Sequence, residues 1–113
     1  MSVDKWSDSV VVVHLADDPQ FTDELEDMDE VVAASPVRPS AVLDMGAVFS
    51  INSSNLARLL KLRKLAISSD RRLILCNIGA HVLNTLLVTG LDNVFEISPD
   101  VSTALASLEL NRR

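Results

Sequence analysis

The chain has 113 residues, 48% hydrophobic and 23% charged, which is long enough for one buried core and too short for two. Ten Lys and Arg against sixteen Asp and Glu leave a formal net charge of −6, a poor match for nucleic-acid backbones or anionic membrane surfaces. No apolar run approaches the ~20 residues of a membrane helix, no basic-then-apolar leader opens the chain, and Cys76, the sole cysteine, excludes an internal disulfide framework and an all-cysteine metal site. The expectation is a soluble cytoplasmic α/β protein, with residues 1–113 as one domain.

In chain order, Ser9 to Leu15 (SVVVVHL) is a β-branched run that predicts a strand, with His14 near its end. Asp18-Pro19 then signals a helix start, and Phe21, Leu25, Met28 and Val32 recur at spacings of four, three and four, lining one helical face. Pro36 and Pro39 end that helix in a loop. Ala41 to Met45 (AVLDM) predicts a second strand, and an apolar stretch from Ala47 to Ile51 leads into Asn52-Ser53-Ser54-Asn55. Leu56, Leu59, Leu60 and Ile67 mark the next helix, with Arg58, Lys61 and Lys64 on its wet side. Arg63 falls among the leucines and Leu65 among the charges, against the ideal wheel.

Arg71 to Cys76 (RRLILC) predicts a third strand. Val82, Leu83, Leu86 and Leu87 form a short helix that Gly90 can end in a left-handed conformation, with Leu91 packing back behind it. Val94 to Ile97 is a fourth strand, and Ser98-Pro99-Asp100 opens a last helix continued by Val101, Ala104, Leu105 and Leu108. Strands alternating with helices imply crossover units and a largely parallel sheet. The loops beyond the strands' carboxyl ends are the expected functional ones: Asp17 to Gln20, Ser50 to Asn55, Asn77 to Ala80 and Ser98 to Asp100.

Charge is segregated. Eight carboxylates and no cation lie between Asp17 and Glu30, while Arg58 to Arg72 holds six cations against Asp70. Such runs are commonly the solvated faces of helices, and they can also orient a partner.

The patterns of common enzymes are missing. Glycines at 46, 79 and 90 cannot form a dinucleotide fingerprint or a P-loop. Cys76 ends a strand before a helix, as a phosphatase nucleophile would, but Val82 stands where the phosphate-clamping arginine is needed, so Cys76 reads as a packing residue. His14 and His81 lack partners at metal-ligand spacing. No catalytic residue, metal or cofactor is expected.

Asn52 to Asn55 has two readings. Ser53 and Ser54 stand where the chain turns into a helix, and exposed N–H groups with the helix dipole favour anions there, so a phosphate on Ser54 would be tolerated by the fold. The same residues also serve as plain helix caps.

Val42 to Met45, FSINSSN at Phe49 to Asn55, the following Leu56 to Leu60, LILCNI at Leu73 to Ile78 and VTGLDNVFEI at Val88 to Ile97 together resemble the STAS domains of anti-sigma-factor antagonists, over about residues 9–108. The resemblance implies a single STAS-like domain: a mixed, mostly parallel sheet of four to five strands with about four surrounding helices. Its antiparallel edge strand would come from Ser2 to Ser7. It also implies a non-enzymatic module that binds an anti-sigma factor with serine-kinase activity and so regulates transcription. Carried over by position, the phosphoacceptor is Ser54, or its neighbour Ser53, and partner contact falls on Asn52, Ser53, Ser54, Asn55, Arg58, Lys61, Asp18 and Phe21.

Two positions depart from the family pattern, Asn52 for its aspartate and Asn55 for its glycine, and Asp17-Asp18 replaces its Gly-Glu. Asparagine caps a helix as well as aspartate does but cannot carry charge or take a proton. The two asparagines favour an alternative, an unphosphorylated STAS scaffold in a stress-signalling or membrane-transport complex. A third alternative, an enzyme acting on a small phosphorylated substrate, would need Cys76 to be reactive.

Overall fold

A computed structural model describes residues 2–7, 10–18, 20–34 and 40–110. Five strands form one sheet in the order of the chain: β1 (Ser2–Ser7), β2 (Val10–Ala16), β3 (Ser40–Ala47), β4 (Leu73–Cys76) and β5 (Glu96–Ser98). β1 is antiparallel to β2, and β2 through β5 are mutually parallel. The edge strand expected at Ser2 to Ser7 is therefore present. The four helices are α1 (Gln20–Ala34), α2 (Ser53–Ser68), α3 (Ala80–Thr89) and α4 (Val101–Leu110).

Because each parallel strand joins its immediate neighbour in one unreversed direction, right-handed crossovers place every connecting helix on the same face. The packing follows. Val11, Val13 and Leu15 of β2, Leu43 and Met45 of β3 and Leu75 of β4 meet Phe21 and Leu25 of α1, Leu56, Leu59 and Leu62 of α2, and Val82 and Leu86 of α3. The alternate residues Val12, Val42, Ile74 and Cys76 turn to the other face, against Ala104 of α4 with Val101, Leu105 and Leu108 beside it. The three central strands are buried on both faces, which is why their sequence reads as continuous apolar runs.

Several local expectations hold. Gly90 ends α3 at φ 73°, Leu91 packs against the core behind it, and the Asp100 carboxylate accepts the Thr103 N–H (2.7 Å) at the mouth of α4. A side chain at position 90 would meet nothing, so the glycine answers to backbone conformation alone. The strand expected at Val94 starts later, because a 3-10 turn at Leu91–Asn93 captures Val94 N–H and sends Phe95 into the core before β5 begins. Pro19, the Pro36–Pro39 loop and the side chains of Met28 and Val32 lie outside the described residues.

The second helix departs from its expected face. Leu56, Leu59 and Leu62 are buried, while Leu60 and Ile67 are 36% and 56% exposed. α2 lies beside α1, with Arg58 reaching Glu26 of that helix (2.7 Å), so its buried arc is rotated toward Leu62. On its other flank Arg63 is half-buried and donates its Nε–H to the Val94 carbonyl (2.8 Å), pinning α2 to the chain entering β5. In α3 only Val82 and Leu86 are buried, and Leu83 and Leu87 face outward.

Candidate functional site

The carboxyl edge of the sheet carries a hub at its base. Asp44 follows the apolar run of β3, and its parity places it on the α4 face. One carboxylate oxygen meets His14 Nδ1 (2.7 Å); the other accepts from Gly46 N–H (2.9 Å) and Asn77 Nδ2 (3.0 Å). Partial burial would raise the Asp44 pKa, but the bonds from Asn77, Gly46 and His14 outweigh it and hold the carboxyl below its ordinary value. The β2–β3 register slips here, with His14 opposite Asp44 but Ala16 opposite Ala47, so one extra β3 residue forms a bulge closed by the Gly46 bond. A Cβ at Gly46 would lie 3.1 Å from Asp44 Oδ1, so the bulge favours glycine by close approach. Asp44 thus links β2, the exit of β3 and the turn after β4.

Above the hub, buried Val48 and Ile51 anchor the chain between β3 and α2, and Asp17 Oδ1 accepts the N–H groups of Phe49 (2.9 Å) and Ser50 (3.3 Å). Asn52 is the N-cap of α2. Its Oδ1 accepts Asn55 N–H (2.9 Å), and Asn55 Oδ1 accepts Asn52 N–H (3.0 Å), so two asparagines make a complete capping box. Their remaining amide groups converge on a single oxygen, with Asn52 Nδ2 3.2 Å and Asn55 Nδ2 3.1 Å from Asp18 Oδ2. The other Asp18 oxygen caps α1 through Thr22 N–H (3.1 Å) and Thr22 Oγ1 (2.7 Å). Thr22 first and Asn55 next hold the Asp18 carboxyl below its ordinary value. One carboxylate therefore clamps the N-termini of two helices, whose dipoles both favour its charge.

The clamp accounts for the residues that the sequence leaves unexplained. An aspartate at 52 would lack the N–H donor and set two carboxylates against each other; a glycine at 55 would lose both the box and a clamp bond. Asn52, Asn55 and Asp18 form one mutually consistent set.

Of the expected site residues, Asp18, Asn52, Ser53, Ser54 and Lys61 are exposed, and Arg58 is half-buried against Glu26. Two are corrected. Phe21 is 1% exposed because it is the first core residue of α1, and Asn55 is 2% exposed because its side chain is spent on the cap and clamp. Neither offers its side chain to a partner. Ser53 and Ser54 occupy the first two positions of α2, where N–H groups have no intrahelical acceptor, and their hydroxyls have no partner among the described residues. The sequence reading missed Phe49, 69% exposed beside this loop with its ring centroid 5.0 Å from that of His81. It also missed the Asp44 hub. The signal for Phe49 was a period: Val48 and Ile51 are the loop's inward residues, which leaves Phe49 outside.

Cys76 is fully buried, donates weakly to the Leu43 carbonyl (3.5 Å), and burial, with Asp44 and Asp100 nearby, pushes its thiol up to about 12. At neutral pH it is a thiol, not a nucleophile. Among the described residues no cluster of three or more His, Cys, Asp or Glu is placed to hold a metal, and no helix is long and apolar enough to cross a membrane.

Solved structures share this architecture. A putative anti-sigma factor antagonist from Thermotoga maritima superposes with a TM-score of 0.81 at 19% identity, over 95% of this chain and 92% of that one. RsbS of Moorella thermoacetica, carrying a serine-to-glutamate substitution, gives 0.81 at 21% identity over 98% and 97%. A chain of the stressosome, a signal integration and transduction hub, gives 0.76 at 21% identity over 98% of each. A comparison with curated proteins finds no match. At sequence level, the STAS domain pattern matches residues 7–104, from the end of β1 into α4 and across the whole Asp18 clamp. A sheet in unreversed order, an exposed serine pair opening α2 and this near-complete sequence match make the chain a member of the STAS domain family.

Proposed function

We propose that this chain is a non-enzymatic anti-sigma-factor antagonist, a module that docks on an anti-sigma factor with serine-kinase activity and is released when Ser54 is phosphorylated. The observation that carries the reading is the Ser54 hydroxyl, exposed and without a partner among the described residues on the first turn of a helix whose cap is complete without it. A phosphate there adds about −1.5 to −2 charges at an N-terminus that accommodates them, so the scaffold keeps its shape. A partner seated over Ser53, Ser54, Asn52 and Asp18 must instead bury that charge beside Asp17 and Asp18. Each ~1.4 kcal/mol of that cost is tenfold in affinity.

The test is incubation of the purified chain with the kinase-type anti-sigma factor of its host and ATP, followed by peptide mass spectrometry. One phosphate on Ser54, absent from Ser54→Ala, supports the reading. An unmodified chain that stays bound in ATP contradicts it.

Asn52 favours a second reading. The carboxylate of the family pattern is absent at that position, and its amide serves the Asp18 clamp, as would suit an unphosphorylated scaffold in a stress-signalling assembly. That reading predicts a stable complex with a larger partner, insensitive to ATP.

A further inference from the structure

We propose that a cleft at the far end of α2 binds a phosphate group through Arg63 and Arg71, at a site separate from the serine loop. The cleft is about 170 Å³, against the roughly 10–15 Å³ that admits one water, and is lined by Arg63, Ile67, Arg71, Arg72, Leu73, Val94 and Glu96. Ten residues at ~1.5 Å each put Arg63 about 15 Å along the helix from Ser53.

The charges in the cleft do not cancel. Arg72 spends four of its five N–H groups: it grips Glu96 through Nε (2.9 Å) and Nη2, and its Nη1 and Nη2 reach the carbonyl and hydroxyl of Ser107 (3.3 and 2.9 Å). That pair neutralises the one carboxylate lining the space. Arg63 spends only its Nε–H, on Val94, and its terminal nitrogens have no partner among the described residues. Arg71 has no side-chain partner there at all. Its backbone is nonetheless held in place. Asp70 takes the left-handed conformation (φ 58°) that ends α2, and Arg71 N–H bonds back to the Ala66 carbonyl (2.7 Å) in a Schellman turn. Asp70 is exposed and pairs with neither arginine.

Two half-buried arginines with donors to spare among the described residues therefore line one space, with an excess charge of two. A monocarboxylate would leave one charge unmatched. A phosphate dianion matches both and can accept from both forks. The apolar walls at Ile67, Leu73 and Val94 leave room for a substituent on the phosphate, so the ligand class is inorganic phosphate or a phosphomonoester.

The experiment is an NMR titration of the intact chain with sodium phosphate near neutral pH at constant low ionic strength, observing the arginine Nε–H signals, with sodium chloride as the reference. Saturable shifts confined to Arg63, Arg71 and their neighbours are expected. Arg71→Gln should weaken binding at least about fivefold, while Lys64→Gln, an exposed cation outside the cleft lining, leaves it unchanged. Arg63→Lys, which keeps the charge but loses the fork, should weaken binding to an intermediate degree. Glycerol 3-phosphate binding at least as tightly as phosphate would identify a phosphomonoester as the ligand; weaker binding would identify inorganic phosphate. Shifts that do not saturate, that spread over all cations, or that persist unchanged in Arg71→Gln would overturn the proposal.

Discussion

The two ends of α2 solve opposite problems. At the N-terminus the amides and the carboxylate are spent: two amides cap each other, one carboxylate clamps both, and what remains is a pair of surface hydroxyls without partners among the described residues. At the C-terminus the backbone is closed by a Schellman turn, but two guanidinium groups are left with donors to spare. The first end can take up charge, and the second already has an excess of it. A helix dipole favours anions at the first end and cations at the second, so both arrangements conform to the same field.

The largest expected effect removes the frame that both ends share. Leu59 is fully buried between them, and Leu59→Ala should cost about 2–5 kcal/mol of stability, read from urea unfolding. A smaller effect isolates the clamp. Asn52→Asp keeps a good cap but sets a carboxylate against Asp18, and should cost about 1 kcal/mol at pH 7. Asp18→Asn in the same chain should recover most of that loss, which a double-mutant cycle measures as coupling; additive costs would mean that the clamp contributes no coupling.

Acid separates the carboxylate-rich edge of the sheet from the arginine end. The folded chain lowers the carboxyls of Asp18, Asp44 and Asp100 below their ordinary value of 3.8. A depressed folded pKa adds stability that is complete above the unfolded pKa and lost as pH falls through the folded one. The urea midpoint should therefore be flat in this respect above about pH 5 and fall below about pH 4, less steeply in Asp44→Asn. The smallest effect is at the Arg58–Glu26 pair, which is partly exposed; Arg58→Gln should shift stability by no more than about 0.5 kcal/mol.

The parts of the fold legible in the sequence are those set by local chemistry. β-Branched runs mark β2 and β3, a Pro-Asp opening marks α4, and Gly90 marks a helix stop, because each depends on residues next to one another. The buried face of α2 was not legible, since whether Leu60 or Leu62 is covered depends on α1, whose position is a tertiary fact. The same limit hid the clamp. Asp18 lies 34 and 37 residues from the asparagines it holds, so Asn52 and Asn55 look like separate departures until the fold brings them to one oxygen. The place of Ser54 on the first turn of α2 was legible because caps and first-turn positions are local; Phe21 was misplaced because it follows the Asp17-Asp18 loop in sequence while turning inward in space.

On the proposed function, charge at Ser54 spoils docking while leaving the scaffold intact. Calorimetric titration of the kinase-type anti-sigma factor with wild-type and Ser54→Asp chains, alongside their thermal melting curves, tests both halves at once. At least about tenfold weaker binding with an unchanged melting temperature is the predicted result. Equal affinity of the two chains would mean that charge at Ser54 does not govern docking.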